Sequence, residues 1–199
     1  MKRWNGWGDE SHHHTLPKGA EAQIESWVGT SQPTQDASLA SVIKQVPPSR
    51  LMEHPLISTD AAERVRHARG QSFPDWLALR SGRMGYFPDG VAYPLTDDDV
   101  QSLITYAKET GTRLIPYGGG TSVAGHINPP QSDVPILTVD MGRMNRLIGL
   151  DAKSQLATFG AGVNGPDLEA QLRAQGFTLG HFPQSFEYST LGGWVATRS

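Results

Sequence analysis

Apolar residues recur at helical spacing from residue 36 onward. Leu39, Val42, Ile43 and Val46 fall three and four residues apart, and Asp36 stands where a cap belongs. Pro47-Pro48 ends that block. A second helix is expected over about residues 60–68, capped by Ser58 or Thr59. A third runs through Asp75, Trp76, Leu77, Ala78 and Leu79, entered by Ser72 and Pro74, and Gly82 and Gly85 break the chain after it. Before residue 36 no such period exists. Trp4, Trp7 and Trp27 stand among Gly, His, Pro and Ser, which reads as an irregular arm laid across a body through its aromatic rings.

Beyond residue 85 the pattern alternates between strand and helix. Val91-Ala92-Tyr93-Pro94 reads as a short strand. Thr96 caps a helix that opens on Asp97, Asp98 and Asp99, carboxylates that complement the positive end of the helix dipole. Val100, Leu103, Ile104 and Ala107 form its apolar face, and Gly111 sits at the C-cap position. Arg113-Leu114-Ile115-Pro116 is the next strand. This β-α-β order predicts parallel strands with a right-handed crossover. Residues 135–141 form another strand, and 146–150 and 155–160 a strand pair around the turn at 151–153. A helix starts at Pro166, buries Leu168 and Leu172, and stops at Gly176. The chain thus divides into an arm with helices, residues 1–85, and an αβ region, residues 86–199. Leu191-Gly192-Gly193-Trp194-Val195 looks like the middle of an element, so the chain is expected to be part of a longer protein.

Composition narrows the picture. The chain has 199 residues, enough for one domain or a domain plus an arm. Its 22 glycines and 14 prolines imply a loop-rich fold, and its formal charge of −3 argues against nucleic acid as the main partner. No cysteine is present, which excludes disulfides and thiolate chemistry and fits a cytoplasmic location. No segment resembles a secretory signal or a membrane span of about 20 apolar residues. His12-His13-His14 lacks a companion carboxylate cluster, so a solvated loop explains it better than a metal site, and a helix-start charge run explains Asp97, Asp98 and Asp99 better than cation binding.

The candidate chemistry lies in a glycine-rich segment that directly follows a strand: Pro116, Tyr117, Gly118, Gly119, Gly120, Thr121 and Ser122, continuing to Gly125. Without Cβ atoms the glycines let a diphosphate approach the main chain, and successive N–H groups can form an anion-binding nest without a lysine. Thr121 and Ser122 add hydroxyl donors. No Gly-Lys-Ser or Gly-Lys-Thr follows, so this is not a Walker A loop. The third glycine opens no helix, and no acidic residue fits the ribose-binding role about 20 residues on, so the dinucleotide fingerprint is absent too. A glycine-rich surface turn remains the plainer alternative for the loop taken alone. A second segment comprises Pro183, Gln184, Ser185, Phe186, Glu187, Tyr188, Ser189, Thr190, Leu191, Gly192, Gly193, Trp194, Val195, Ala196, Thr197, Arg198 and Ser199. Ser189 or Thr190 can cap a short helix whose paired glycines again permit close approach of a ligand.

Together these segments resemble the FAD-binding domain of the vanillyl-alcohol oxidase or p-cresol methylhydroxylase type. In that family a loop like residues 116–122 binds the FAD diphosphate, and a Pro-x-Ser-x-Glu-x-Ser-Thr-x-Gly-Gly stretch, here residues 183–193, lines the flavin. Within the family the chain is most similar to the alkyldihydroxyacetonephosphate synthase branch. That likeness rests on Trp4-Asn5-Gly6-Trp7-Gly8, on residues 116–123 and on residues 178–198, and it is weak over 30–80. Gln184 stands where the motif usually has Asp, and Phe182 where the branch has Glu, so an acceptor near the flavin is lost.

The resemblance implies an α+β fold: a small β-α-β subdomain and the start of a larger sheet, preceded by a helical arm. It implies FAD as cofactor, and as cofactor-binding residues Pro116, Tyr117, Gly118, Gly119, Gly120, Thr121 and Ser122 with Pro183, Gln184, Ser185, Phe186, Glu187, Tyr188, Ser189, Gly192, Gly193, Ala196, Thr197, Arg198 and Ser199. It further implies a small-molecule or lipid substrate, a homodimer at full length, and exchange of an acyl group for a fatty alcohol without net oxidation. Oxidation of a D-2-hydroxy acid is the alternative. No catalytic residue carries over, because those of the family lie mostly beyond residue 199. His181 is read as either a flavin-side or a satisfied loop histidine. His126 follows the loop, but its spacing does not support a covalent flavin anchor.

Overall fold

The computed structural model describes residues 2–12, 15–30 and 35–199. Its centre is a four-stranded sheet in the order β1 (Ile57–Ser58), β2 (Gly90–Ala92), β4 (Ile136–Asp140), β3 (Arg113–Tyr117). β4 runs parallel to both β2 and β3, and β1 closes the edge antiparallel to β2. The expected β-α-β unit forms with parallel strands, but β2 and β3 are not neighbours because β4 lies between them. The burial of β4 suits that central place: Ile136, Leu137, Thr138 and Val139 are all buried, the habit of a parallel strand covered on both faces. A second sheet pairs β5 (Leu147–Asp151) with β6 (Leu156–Phe159), with a bulge near Leu147.

The helices follow their caps. In α5 (Asp97–Thr110) Thr96 and Asp99 form a reciprocal capping box, and Gly111 ends the helix in a left-handed conformation. Ser72 and Asp75 form the same box at α4 (Phe73–Ser81). Asn164 caps α6 (Gly165–Arg173), and Thr190 caps α7 (Leu191–Thr197). Two expected caps are corrected. α2 (Leu39–Ile43) is capped by Ser38, not Asp36, which instead meets Arg80 at 2.8 Å. α3 (Ala61–Arg66) is capped by Asp60 rather than Ser58 or Thr59. The arm also differs from expectation, because Ala20–Val28 forms a helix, α1. Its Ala, Glu and Gln residues have strong helix propensity, and the surrounding glycines and prolines masked it. Trp27 on this helix is exposed rather than laid on the body. Trp4 does pack against the core formed by Val42, Val65, Ala68, Leu79 and Met84.

One buried polar junction joins the helical part to the sheet. Asp89 accepts from Arg50 at 2.7 and 2.9 Å and from the Ile136 N–H at 2.8 Å. Arg50 also donates to the carbonyls of Ser132 and Val134. Burial pushes the Asp89 carboxyl up, but the Arg50 guanidinium and the backbone N–H groups outweigh it and hold the group below the usual carboxylate range.

Candidate cofactor site

β3 delivers the chain to the glycine-rich loop, and each glycine there has its own reason. A Cβ on Gly118 would strike the Thr190 side chain, and one on Gly119 the Tyr188 carbonyl. Gly120 sits at φ 72°, with the Tyr117 ring where a side chain would go. The space expected for a diphosphate above Gly118 and Gly119 is therefore taken, at the Cβ positions, by the second segment. What the loop offers is its main chain. Among the described residues, no hydrogen bond takes up the N–H of Gly119, Gly120, Thr121 or Ser122. The Ser122 carbonyl is held by the Gln71 N–H at 2.7 Å, while the Ser122 hydroxyl is buried and finds no partner among those residues. Four successive free donors and an orphaned hydroxyl constitute an anion nest.

The second segment is fixed at both ends. Glu169 on α6, almost fully buried, accepts from the Thr178 hydroxyl at 2.7 Å and from the N–H groups of Leu179 and Gly180 at 3.1 and 2.9 Å. The Thr178 bond, aided by those two N–H groups and Arg173, outweighs burial and holds the Glu169 carboxyl below its ordinary range. At the other end the Thr190 side chain accepts from the Gly193 N–H, and the Trp194 indole donates to the Ser189 hydroxyl at 2.7 Å. Ser185 takes a left-handed φ of 64°, and its carbonyl accepts from the N–H groups of Tyr188 and Ser189.

The two segments wall one cavity of about 310 Å³. From the first come Gly118, Gly119, Gly120, Thr121 and Ser122; from the second come Gln184, Ser185, Ser189, Gly193, Thr197 and Ser199. Tyr117, Glu187 and Tyr188 instead face a second cavity of about 350 Å³, which shares Gly118, Gly119 and Thr190 with the first. Pro116, Pro183, Phe186, Gly192, Ala196 and Arg198 line neither cavity. Phe186 belongs to the core of Val163, Leu168, Leu172 and Trp194, and Gly192 lies against Ala161. Arg198 is exposed at φ 57°. His126 is exposed on the rim of the first cavity, and His181 packs its ring edge-on to Trp194. His13 and His14 lie outside the described residues.

The second cavity holds a charged cluster that pattern reading missed. The Lys2 ammonium donates to the Gly119 carbonyl. Lost hydration pulls its pKa down while nearby Asp140 works the other way. Asp140 accepts from His67 at 2.9 Å through one oxygen and from the Gly142 N–H at 2.7 Å through the other. The other His67 nitrogen faces the Glu63 carbonyl at 2.7 Å, so both ring nitrogens meet acceptors. Burial, with Asp140 adding to it, pushes the Tyr117 phenol up, so that group is neutral. These contacts join residues 63–67, 2, 117–119 and 140, separations across which no periodicity reads.

Residues 88–199 match the family model described as an FAD binding domain, and the chain belongs to that family. It is 31% identical over 98% of its length to alkyldihydroxyacetonephosphate synthase from Trypanosoma brucei brucei, and 38% identical over 72% to the synthase from Dictyostelium discoideum. A mitochondrial D-lactate dehydrogenase from Arabidopsis thaliana is 28% identical over 82% of the chain and 28% of its own length. A solved structure of alkyldihydroxyacetonephosphate synthase superposes with a TM-score of 0.83 at 29% identity, covering all of this chain and 42% of that one. The chain spans 37% of the length of the Trypanosoma brucei brucei synthase and 23% of that from Dictyostelium discoideum.

The geometry fits the cofactor of this family. FAD carries a diphosphate, and the free N–H groups at 119–122 with the partnerless Ser122 hydroxyl are the donors such a group needs. Among the described residues no helix is long and apolar enough to cross a membrane.

Proposed function

We propose that this chain is the FAD-holding part of an alkyldihydroxyacetonephosphate synthase-like enzyme, which exchanges the acyl group of an acyl-dihydroxyacetone phosphate for a long-chain alcohol. One observation carries the reading: residues 118–122 and 184–199 wall a single cavity whose loop presents unfilled N–H donors. Similarity to the synthases over nearly the whole chain supports the substrate class.

In this reading Gly118, Gly119, Gly120, Thr121 and Ser122 grip the diphosphate through their N–H and hydroxyl groups. Gln184, Ser185, Ser189, Gly193, Thr197 and Ser199 form the facing wall. Pro116, Tyr117, Pro183, Phe186, Glu187, Tyr188 and Gly192 act one layer further out, by fixing the two segments, while Ala196 and Arg198 stand exposed at the end of α7. The bound flavin supplies the reactive chemistry, and this part of the chain supplies binding and orientation. Residues 86–199 are the cofactor-binding domain and 1–85 the arm and helices that brace it. A lipid substrate, a cytoplasmic, membrane-peripheral location and a homodimer at full length belong to the same proposal.

The test is to incubate the full-length, flavin-loaded protein with acyl-dihydroxyacetone phosphate and a long-chain alcohol. The alkyl product with release of fatty acid is the expected result; no exchange in flavin-loaded protein overturns the reading. The dehydrogenase relative motivates a second reading, oxidation of a D-2-hydroxy acid. Anaerobic bleaching of the flavin by D-lactate or glycolate is the outcome that selects it.

A further inference from the structure

The glycine-rich loop contains no cation, yet a diphosphate brings about two negative charges. Its lining partners in the first cavity include no lysine or arginine. A built-in cation touches the loop from the other side. Lys2 lines only the second cavity, and its ammonium reaches through to the carbonyl of Gly119. A Cβ on Gly120 would lie 3.2 Å from the Lys2 nitrogen, so the ammonium sits against the 119–120 peptide itself. The N–H at the other end of that peptide, on Gly120, is one of the free donors of the nest.

The position is fixed by construction. Lys2 bridges Asp9 across a small hairpin, in which the Arg3 N–H donates to the Gly8 carbonyl at 2.9 Å. Arg66 donates to the Lys2 carbonyl at 3.3 Å, and Trp7 meets the Tyr188 ring edge-on at 5.0 Å. Asp140 favours the charged form of the ammonium but makes no direct hydrogen bond to it. Both Asp140 oxygens already accept hydrogen bonds, from His67 and from Gly142. Lys2 thus presents an ammonium with the Gly119 carbonyl as its hydrogen-bond partner and Asp140 nearby, at the back of a loop where a further anion would feel its charge.

We infer that Lys2 is a positioning residue for the cofactor's diphosphate: its charge, applied to the Gly119 carbonyl from behind the loop, strengthens the Gly120 N–H and supplies the positive potential the loop lacks. The inference rests on the FAD reading above. A hydrogen bond to a carbonyl polarises its peptide and improves the donor at the other end, and a charge at the rim of a low-dielectric cavity acts over several ångströms. The arm of the chain, remote in sequence, thereby becomes part of the cofactor site.

The experiment uses full-length protein stripped of flavin, with Lys2→Gln and Lys2→Arg variants. FAD binding is followed by quenching of flavin fluorescence at low and high salt, and riboflavin serves as a phosphate-free probe. Lys2→Gln is expected to bind FAD about tenfold more weakly at low salt, equivalent to about 1.4 kcal/mol. The deficit shrinks as salt rises, riboflavin binding is unchanged, and Lys2→Arg stays near wild type. Unchanged FAD affinity in Lys2→Gln overturns the inference while leaving the FAD reading intact. So does an equal loss for FAD and riboflavin, which marks a packing role. Failure of the wild-type protein to bind FAD overturns both.

Discussion

Ser122 separates what the loop needs for its own stability from what it keeps for a ligand. Its hydroxyl is buried without a partner among the described residues, a state that costs the folded protein about 1–3 kcal/mol. Ser122→Ala is therefore expected to leave the melting temperature of flavin-free protein unchanged or to raise it by about 2–4 °C per kcal/mol relieved. The same change weakens FAD binding by about tenfold. A drop in both would mean the hydroxyl is structural. The glycines beside it teach the reverse lesson. The run Gly118-Gly119-Gly120 is conspicuous in the sequence, and its location after a strand is legible there. Its reason is not, because Thr190 and Tyr188, which fill the Cβ positions, lie about 70 residues away in the chain. Lys2 was illegible for the same cause: its partner Gly119 is 117 residues distant, and an isolated lysine in a polar arm carries no pattern.

Elements read well where their signals are local. Thr96 with Asp99, Ser72 with Asp75, and Gly111 are decided within four residues, and all were visible in the sequence. Sheet order was not, since nothing near Val91 or Leu114 says that the strand at 136–140 will insert between them. Nor was Glu169 recognisable as the anchor of the second segment; on a helix face it reads as one more solvated acid. Its three acceptor contacts make it the link between α6 and the segment that follows. Glu169→Ala strips the N–H groups of Leu179 and Gly180 of their partner, at a cost of about 2 kcal/mol. The expected outcome is faster amide exchange across residues 178–186, with β2, β3 and β4 unaffected. Uniform loss of protection throughout the protein would contradict this local role.

Across the whole molecule, the Arg50–Asp89 junction ties the helical part to the sheet, and it makes stability depend on acid. Asp89 has a folded pKa below its unfolded value of about 3.9. The unfolded chain therefore takes up a proton first as pH falls, so the contribution of Asp89 is complete above about pH 4 and is lost below it. Arg50 is 45% exposed, so salt screens part of the effect. Denaturant melts between pH 3 and 7 are expected to show a shallower acid dependence in Asp89→Asn than in wild type, together with lower stability at neutral pH. Parallel pH profiles for the two proteins would assign the acid sensitivity to other groups.

The place of β4 in the sheet has a consequence for how the molecule is made. β2 emerges from the ribosome first, then α5 and β3, but β2 and β3 have no hydrogen bonds to offer each other. β3 waits for residues 136–140, as does the free edge of β2 beyond its pairing with β1, and the glycine-rich loop lies in the stretch between β3 and that late strand. During translation the nest therefore has no fixed shape until the chain is some twenty residues past it, and its far wall comes later still. Lys2, translated well before the loop, settles against Gly119 only when the loop itself does. Flavin capture is in this sense a late event of biosynthesis, set by strand order rather than by the chemistry of the loop.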